Sequence, residues 1–208
     1  MSIPFDIAIN RESLRDADRF DEALRKFDAI TREDPKRLEF HGEEHPSEYL
    51  LAQALCHHVT GLEQDPSEAL LLASRSQHLR RWEHPRTGYP AGRTGYLEWR
   101  AGLKLFHAEQ AAAILTECGY DQVTLDAVRS LNLKEDIAGN ADCQILEDGL
   151  CLVFLQFQLD DIMARHPESK VIGILTKTAR KMSPVGLAAA GRLHYSEEGQ
   201  AILAKVLS

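Results

Sequence analysis

Residues 141–166 constrain the fold more than any other stretch. Cys143, Ile145, Leu146, Leu150, Cys151, Leu152, Val153, Phe154 and Leu155 leave almost no polar face. A helix that is apolar nearly all round lies inside a protein rather than on its surface. No apolar run reaches the roughly 20 residues that a membrane crossing requires, so this helix needs a shell of other elements around it. The rest of the chain supplies helices. Leu14, Phe20, Leu24 and Phe27 recur at helical spacing over 11–30. Ser47 opens a helix to about 62, and Asp65 with Pro66 starts another that ends near Trp82. Residues 96–118 form a helix closed by Gly119, and Asp121 opens one to about 133. Pro167 separates 141–166 from a helix over 168–182, and Ser196 caps a last one over about 196–207. The proline- and glycine-bearing stretches 31–46 and 84–95 read as loops. No run alternates with period two, no glycine-rich nucleotide loop is present, and nothing repeats. The expectation is all-α: one globular domain over 1–208, with about seven to nine helices and a core over about 11–182.

Charge narrows the partners. Lys and Arg total 24 against 32 Asp and Glu, a formal net charge of −8. Duplex nucleic acid is not an expected partner, because its phosphates need a broad basic face. RNA recognition lacks its aromatic and basic motif here. No membrane partner is expected, and residues 1–10 show no basic region followed by an apolar block, so the expected location is cytoplasmic. Cys56, Cys118, Cys143 and Cys151 form no C-x-x-C pair and read as reduced, mostly buried thiols. A homo-oligomer stays open.

Several polar residues interrupt apolar faces. Asp148 shares its face with Ile145, Cys151, Leu152 and Leu155. A carboxylate there requires a charge partner, a metal, or a dense set of hydrogen bonds such as a cap on a neighbouring helix end. Adjacent Glu147 points about 100° away, and either acid can be the inward one. His107 interrupts a stripe of Leu103, Ala111, Ile114 and Leu115; it is a satisfied core residue or a ligand. His78 stands beside Arg80, Arg81 and Trp82, as at an anion-binding corner or at a solvated helix end whose cations complement the dipole. Glu48 lies in a first helical turn, where acids are favoured on electrostatic grounds alone. Together these side chains sit on successive helices, which is how metal sites in helical bundles are built. A mixed histidine and carboxylate set suits Mn²⁺, Fe²⁺, Co²⁺, Ni²⁺ or Zn²⁺.

The runs Ser76-Gln77-His78-Leu79-Arg80-Arg81-Trp82-Glu83, Gly95-Tyr96-Leu97-Glu98-Trp99-Arg100, Phe106-His107-Ala108-Glu109 and Leu146-Glu147-Asp148, with Cys151 to Leu155 and Lys181-Met182-Ser183-Pro184, resemble the domain-of-unknown-function family 4202. More distantly, the order of motifs is similar to the HD superfamily of metal-dependent phosphohydrolases, all-α proteins with His, His-Asp and Asp ligands on successive helices. That resemblance implies His78, His107 and Asp148 as metal ligands, with Glu48 in place of a first histidine. It departs from the superfamily at Gln77-His78, where the doublet has no aspartate.

The activity implied is hydrolysis of a small phosphorylated or nucleotide-like substrate through a divalent ion. Glu147 or Glu109 would position the attacking water. Arg80, Arg81, Arg93, Arg100, Lys104 and Lys134 would hold the phosphate, and Trp82, Tyr89 or Trp99 would stack on a base. The rival expectation is a non-catalytic helical module with a degenerate site that binds a partner protein or a small anion.

Overall fold

The structure, a computed structural model, describes residues 5, 7–137 and 139–207. Among the described residues it contains ten α-helices and one two-stranded hairpin. Helix α1 is Ala17–Thr31, α2 Ser47–Leu62, α3 Glu68–Ser76, α4 Gly92–Glu117, α5 Gln122–Leu133 and α6 Ala141–Phe157; α7 Leu159–Arg165, α8 Glu168–Ala179, α9 Pro184–Ala190 and α10 Glu197–Leu207 follow. The strands β1, Arg37–Phe40, and β2, Glu43–Pro46, pair antiparallel with Arg37 opposite Pro46. The all-α expectation holds, with ten helices where seven to nine were expected.

The boundaries differ for local reasons. Asp16 caps α1 by accepting from the Arg19 amide, so the helix starts at Ala17 rather than Arg11. The cap of α3 is Ser67, whose hydroxyl accepts from the Leu70 amide, and not Asp65. That helix stops at Ser76, well before Trp82, and the chain turns through Arg80 in the left-handed region at φ 54°. Helix α4 begins at Gly92 rather than Tyr96. A Cβ at Gly95 would lie 2.0 Å from the Pro90 carbonyl oxygen, so only glycine lets the preceding loop pack on this turn. The long apolar stretch divides at Gln158 into α6 and α7. The hairpin replaces an expected loop; His41 and Gly42 turn it, both at positive φ. Helix α9 falls beyond the expected core.

Helix α6 is central, as expected. It packs on α2, where a Cβ on Gly149 would meet Leu55 Cδ1 at 2.9 Å, so the glycine allows close approach of the two helices. Leu146 and Val153 belong to the larger apolar cluster with α1–α5. Cys151, Leu152 and Leu155 join a second cluster with Leu159, Val171, Leu175, Met182 and Ile202. The core therefore extends past 182 into α10. No described helix is long and apolar enough to cross a membrane, and all four cysteines are free, with Cys118 only partly buried.

Candidate functional site

Two polar clusters form along α4. The first gathers at its middle. A carbonyl can only accept, so the 2.9 Å contact of His107 Nδ1 with the Leu79 carbonyl oxygen places the ring proton on Nδ1. His107 Nε2 is then a lone pair, buried and without a hydrogen-bond partner. Burial, followed by the neighbouring His78, pulls the His107 pKa down to about 3 and keeps the ring neutral. The His78 ring stands edge-on to it, 5.9 Å between centroids. The turn after α3 brings His78 and Arg81 against the first turn of α2. Glu48 Oε2 lies 3.2 Å from His78 Nδ1, and Glu48 Oε1 lies 3.7 Å from Arg81 Nε. The approach of His78 is off the line of a hydrogen bond, so Glu48 Oε2 has no donor. Glu48 and His78 also line a small cavity of about 10 Å³ with Leu51, Leu55, Gln77 and Val153, which is room for about one water.

The second cluster lies one turn before His107 on α4 and surrounds Glu147. Its carboxylate accepts from Lys134 Nζ at 2.5 Å and from Lys181 Nζ at 3.1 Å. Lys134 occupies a left-handed position that ends α5, at φ 58°. Lys104 Nζ donates to the Leu133 carbonyl at 3.1 Å. Burial pushes the Glu147 pKa up, but Lys134 and Lys181 pull it down further, and it stays below the usual carboxylate range. Burial, then Lys134 and Arg100, lowers Lys104 despite the opposing pull of Glu147. Two ammonium groups thus pair with one carboxylate, and a third, Lys104, lies within its electrostatic reach.

Asp148 belongs to neither cluster. Oδ1 accepts from Gln144 Nε2 at 3.0 Å and from the Ser183 amide at 2.8 Å, while Oδ2 accepts from Ser183 Oγ at 2.5 Å. A Cβ on Gly186 would sit 2.5 Å from the Asp148 carboxyl carbon. The acid is fixed to the start of α9, so the helix-cap alternative describes it.

Of the expected metal ligands, Glu48, His78 and His107 come together and Asp148 does not. Among the described residues, no group of three or more His, Cys, Asp or Glu side chains is placed to hold a metal ion. Glu147 is a counter-ion of two lysines rather than a free base. Glu109 is exposed and two positions from His107, about 200° round the helix, so it does not face Nε2. Lys104, Lys134 and Arg100 share a neighbourhood with Lys181, whereas Arg93 is exposed and Arg80 pairs only loosely with Glu83 at 3.5 Å. Trp82 is half-buried. Lys181 was not among the cations expected to hold a phosphate; its signal was the adjoining Ser183, which ties that turn to α6.

Fold and clusters define an all-α domain whose central helix carries two buried acids, one fixed to a helix start and the other shared by lysines. The chain belongs to the family described as domain of unknown function, DUF4202, whose model matches residues 21–203. Comparison with curated proteins and with solved structures gives no match.

Proposed function

We propose that this chain is a helical binding domain for a small phosphorylated molecule, taken up at Lys104, Lys134, Lys181 and Arg100. The observation that supports the reading is the unbalanced charge at this point: two ammonium groups pair with a single carboxylate, and Lys104 and Arg100 add positive charge within electrostatic reach. Lys104 has a carbonyl as its hydrogen-bond acceptor, and a phosphate would supply the missing counter-charge. Isothermal titration with pyrophosphate tests it. Saturable binding that weakens with salt, and weakens about tenfold in Lys104→Met, is expected; no saturable binding overturns the reading.

A second reading, the metal-dependent phosphohydrolase, draws support from His107 Nε2 and Glu48 Oε2, two buried atoms without donors beside His78. The donor set does not fit a bound ion as it stands. Asp148 is held by Ser183 and Gln144, and among the described residues Glu48, His78 and His107, although neighbours, are not placed as a group to hold an ion. Elemental mass spectrometry on tag-free protein separates the two readings. About one ion per chain, lost in His107→Ala, favours the hydrolase. No ion after incubation with Mn²⁺, Ni²⁺ and Zn²⁺ favours the binding domain.

A further inference from the structure

We infer that the ligand of the lysine cluster is a nucleoside phosphate whose base stacks on Tyr96. The inference rests on the phosphate-binding reading above and names the class of molecule.

Tyr96, Arg100 and Lys104 fall at i, i+4 and i+8 of α4 and form one stripe. The stripe is about 12 Å long at 1.5 Å per residue, which leaves the breadth of a sugar between an aromatic ring at one end and an ammonium at the other. Tyr96 is 42 % exposed, so its ring is open to a ligand. Its ring is positioned rather than loose: Arg100 Nη1 donates to the Tyr96 hydroxyl at 3.2 Å, the guanidinium carbon is 5.9 Å from the ring centroid, and the Trp99 centroid is 6.0 Å away. Arg100 bridges the two ends, because its charge also acts on Lys104. Ring and cations thus match the two halves of a nucleotide, an apolar planar base and a phosphate.

The other aromatic groups nearby are engaged. Trp99 Nε1 donates to the His84 carbonyl at 2.9 Å, and Arg81 lies over its ring at 5.3 Å. The Tyr89 hydroxyl rests on α4, 3.3 Å from where a Cβ on Gly102 would stand. Trp82 is half-buried. Tyr96 is the most exposed of these four rings, and it replaces Trp82, Tyr89 and Trp99 as the stacking group.

The test compares adenosine monophosphate with ribose 5-phosphate, which differ by the base alone, by isothermal titration on the full chain. Adenosine monophosphate is expected to bind at least about fivefold more tightly, since base stacking on an aromatic ring is worth that much or more. Tyr96→Ala is expected to abolish the difference by weakening adenosine monophosphate binding more than ribose 5-phosphate binding, and Tyr96→Phe to retain it. Equal affinities in the unaltered protein, or a difference that survives Tyr96→Ala, overturn the inference and leave the phosphate reading standing. No binding of either compound overturns both.

Discussion

His107 and Glu147 show how burial acts in opposite directions on an imidazole and on a paired carboxylate. With a folded pKa of about 3 against an ordinary 6.5, His107 resists protonation in the fold but not in the unfolded chain. Protons therefore favour unfolding. Above pH 6.5 His107 contributes nothing to the pH dependence; below it, stability falls by about 1.4 kcal/mol per pH unit until the folded value is reached. His58, lowered to about 4 by burial, adds a similar slope. In urea denaturation at pH 7.5 and pH 5, His107→Gln should reduce the loss between the two by about 2 kcal/mol. An unchanged loss would show that the ring is not held neutral. Glu147 gives a pH dependence of the same sign in a lower, carboxylate range. Its folded pKa is depressed, so its contribution is complete above the unfolded value and is lost as pH falls through the folded one. Glu147→Gln leaves Lys134 buried beside a neutral amide. That should cost about 3 kcal/mol at pH 7 and progressively less toward pH 3, while pyrophosphate binds more tightly because the lysines lose their internal counter-ion.

At the scale of elements, the start of α9 depends on a side chain from α6. Asp148→Ala leaves the Ser183 amide and hydroxyl without their acceptor, and a loss of about 2 to 3 kcal/mol is expected in thermal or urea unfolding. Gly186→Ala, which would drive a methyl into the same carboxylate, should lose about 1 to 3 kcal/mol. If both variants unfold like the parent protein, Asp148 is not what anchors α9. The same contact explains what could and could not be read from sequence. Helix α5 is capped by Asp121, as its capping residue announces, whereas Ser47 opens α2 as its first residue and not as its cap, which is Pro46. His107 stood out because it interrupts an apolar stripe, His78 because it stands beside Arg80, Arg81 and Trp82, and Glu48 because it lies in a first helical turn. The hairpin escaped notice because Arg37-Leu38-Glu39-Phe40 alternates for only four residues, too few to distinguish from a loop. The break at Gln158 follows no proline or glycine. The role of Asp148 could not be read, since its partner belongs to α9, a seven-residue helix of small residues with little periodicity. The lysine cluster depends on α4, α5, α6 and the end of α8 meeting, and no spacing along the chain encodes such a meeting.

For the whole molecule, α6 decides whether two apolar clusters behave as one domain. The larger takes Leu146 and Val153 from it, the smaller Cys151, Leu152 and Leu155. These positions alternate along a single rigid helix, so neither cluster can lose α6 without exposing the other's apolar surface. Both tryptophans, Trp82 and Trp99, lie in the segment from the end of α3 into α4, whereas Leu152 packs in the cluster with α7, α8 and α10. Leu152 is 1 % exposed, and Leu152→Ala should cost about 2 to 5 kcal/mol through lost apolar burial and the cavity left behind. If the domain is cooperative, that loss reaches the tryptophans: the urea midpoints by fluorescence and by far-ultraviolet circular dichroism should fall together and remain coincident. A dichroism midpoint that falls while the fluorescence midpoint stays in place would mean that α7–α10 unfold as a separate unit, and that α6 does not couple the two halves.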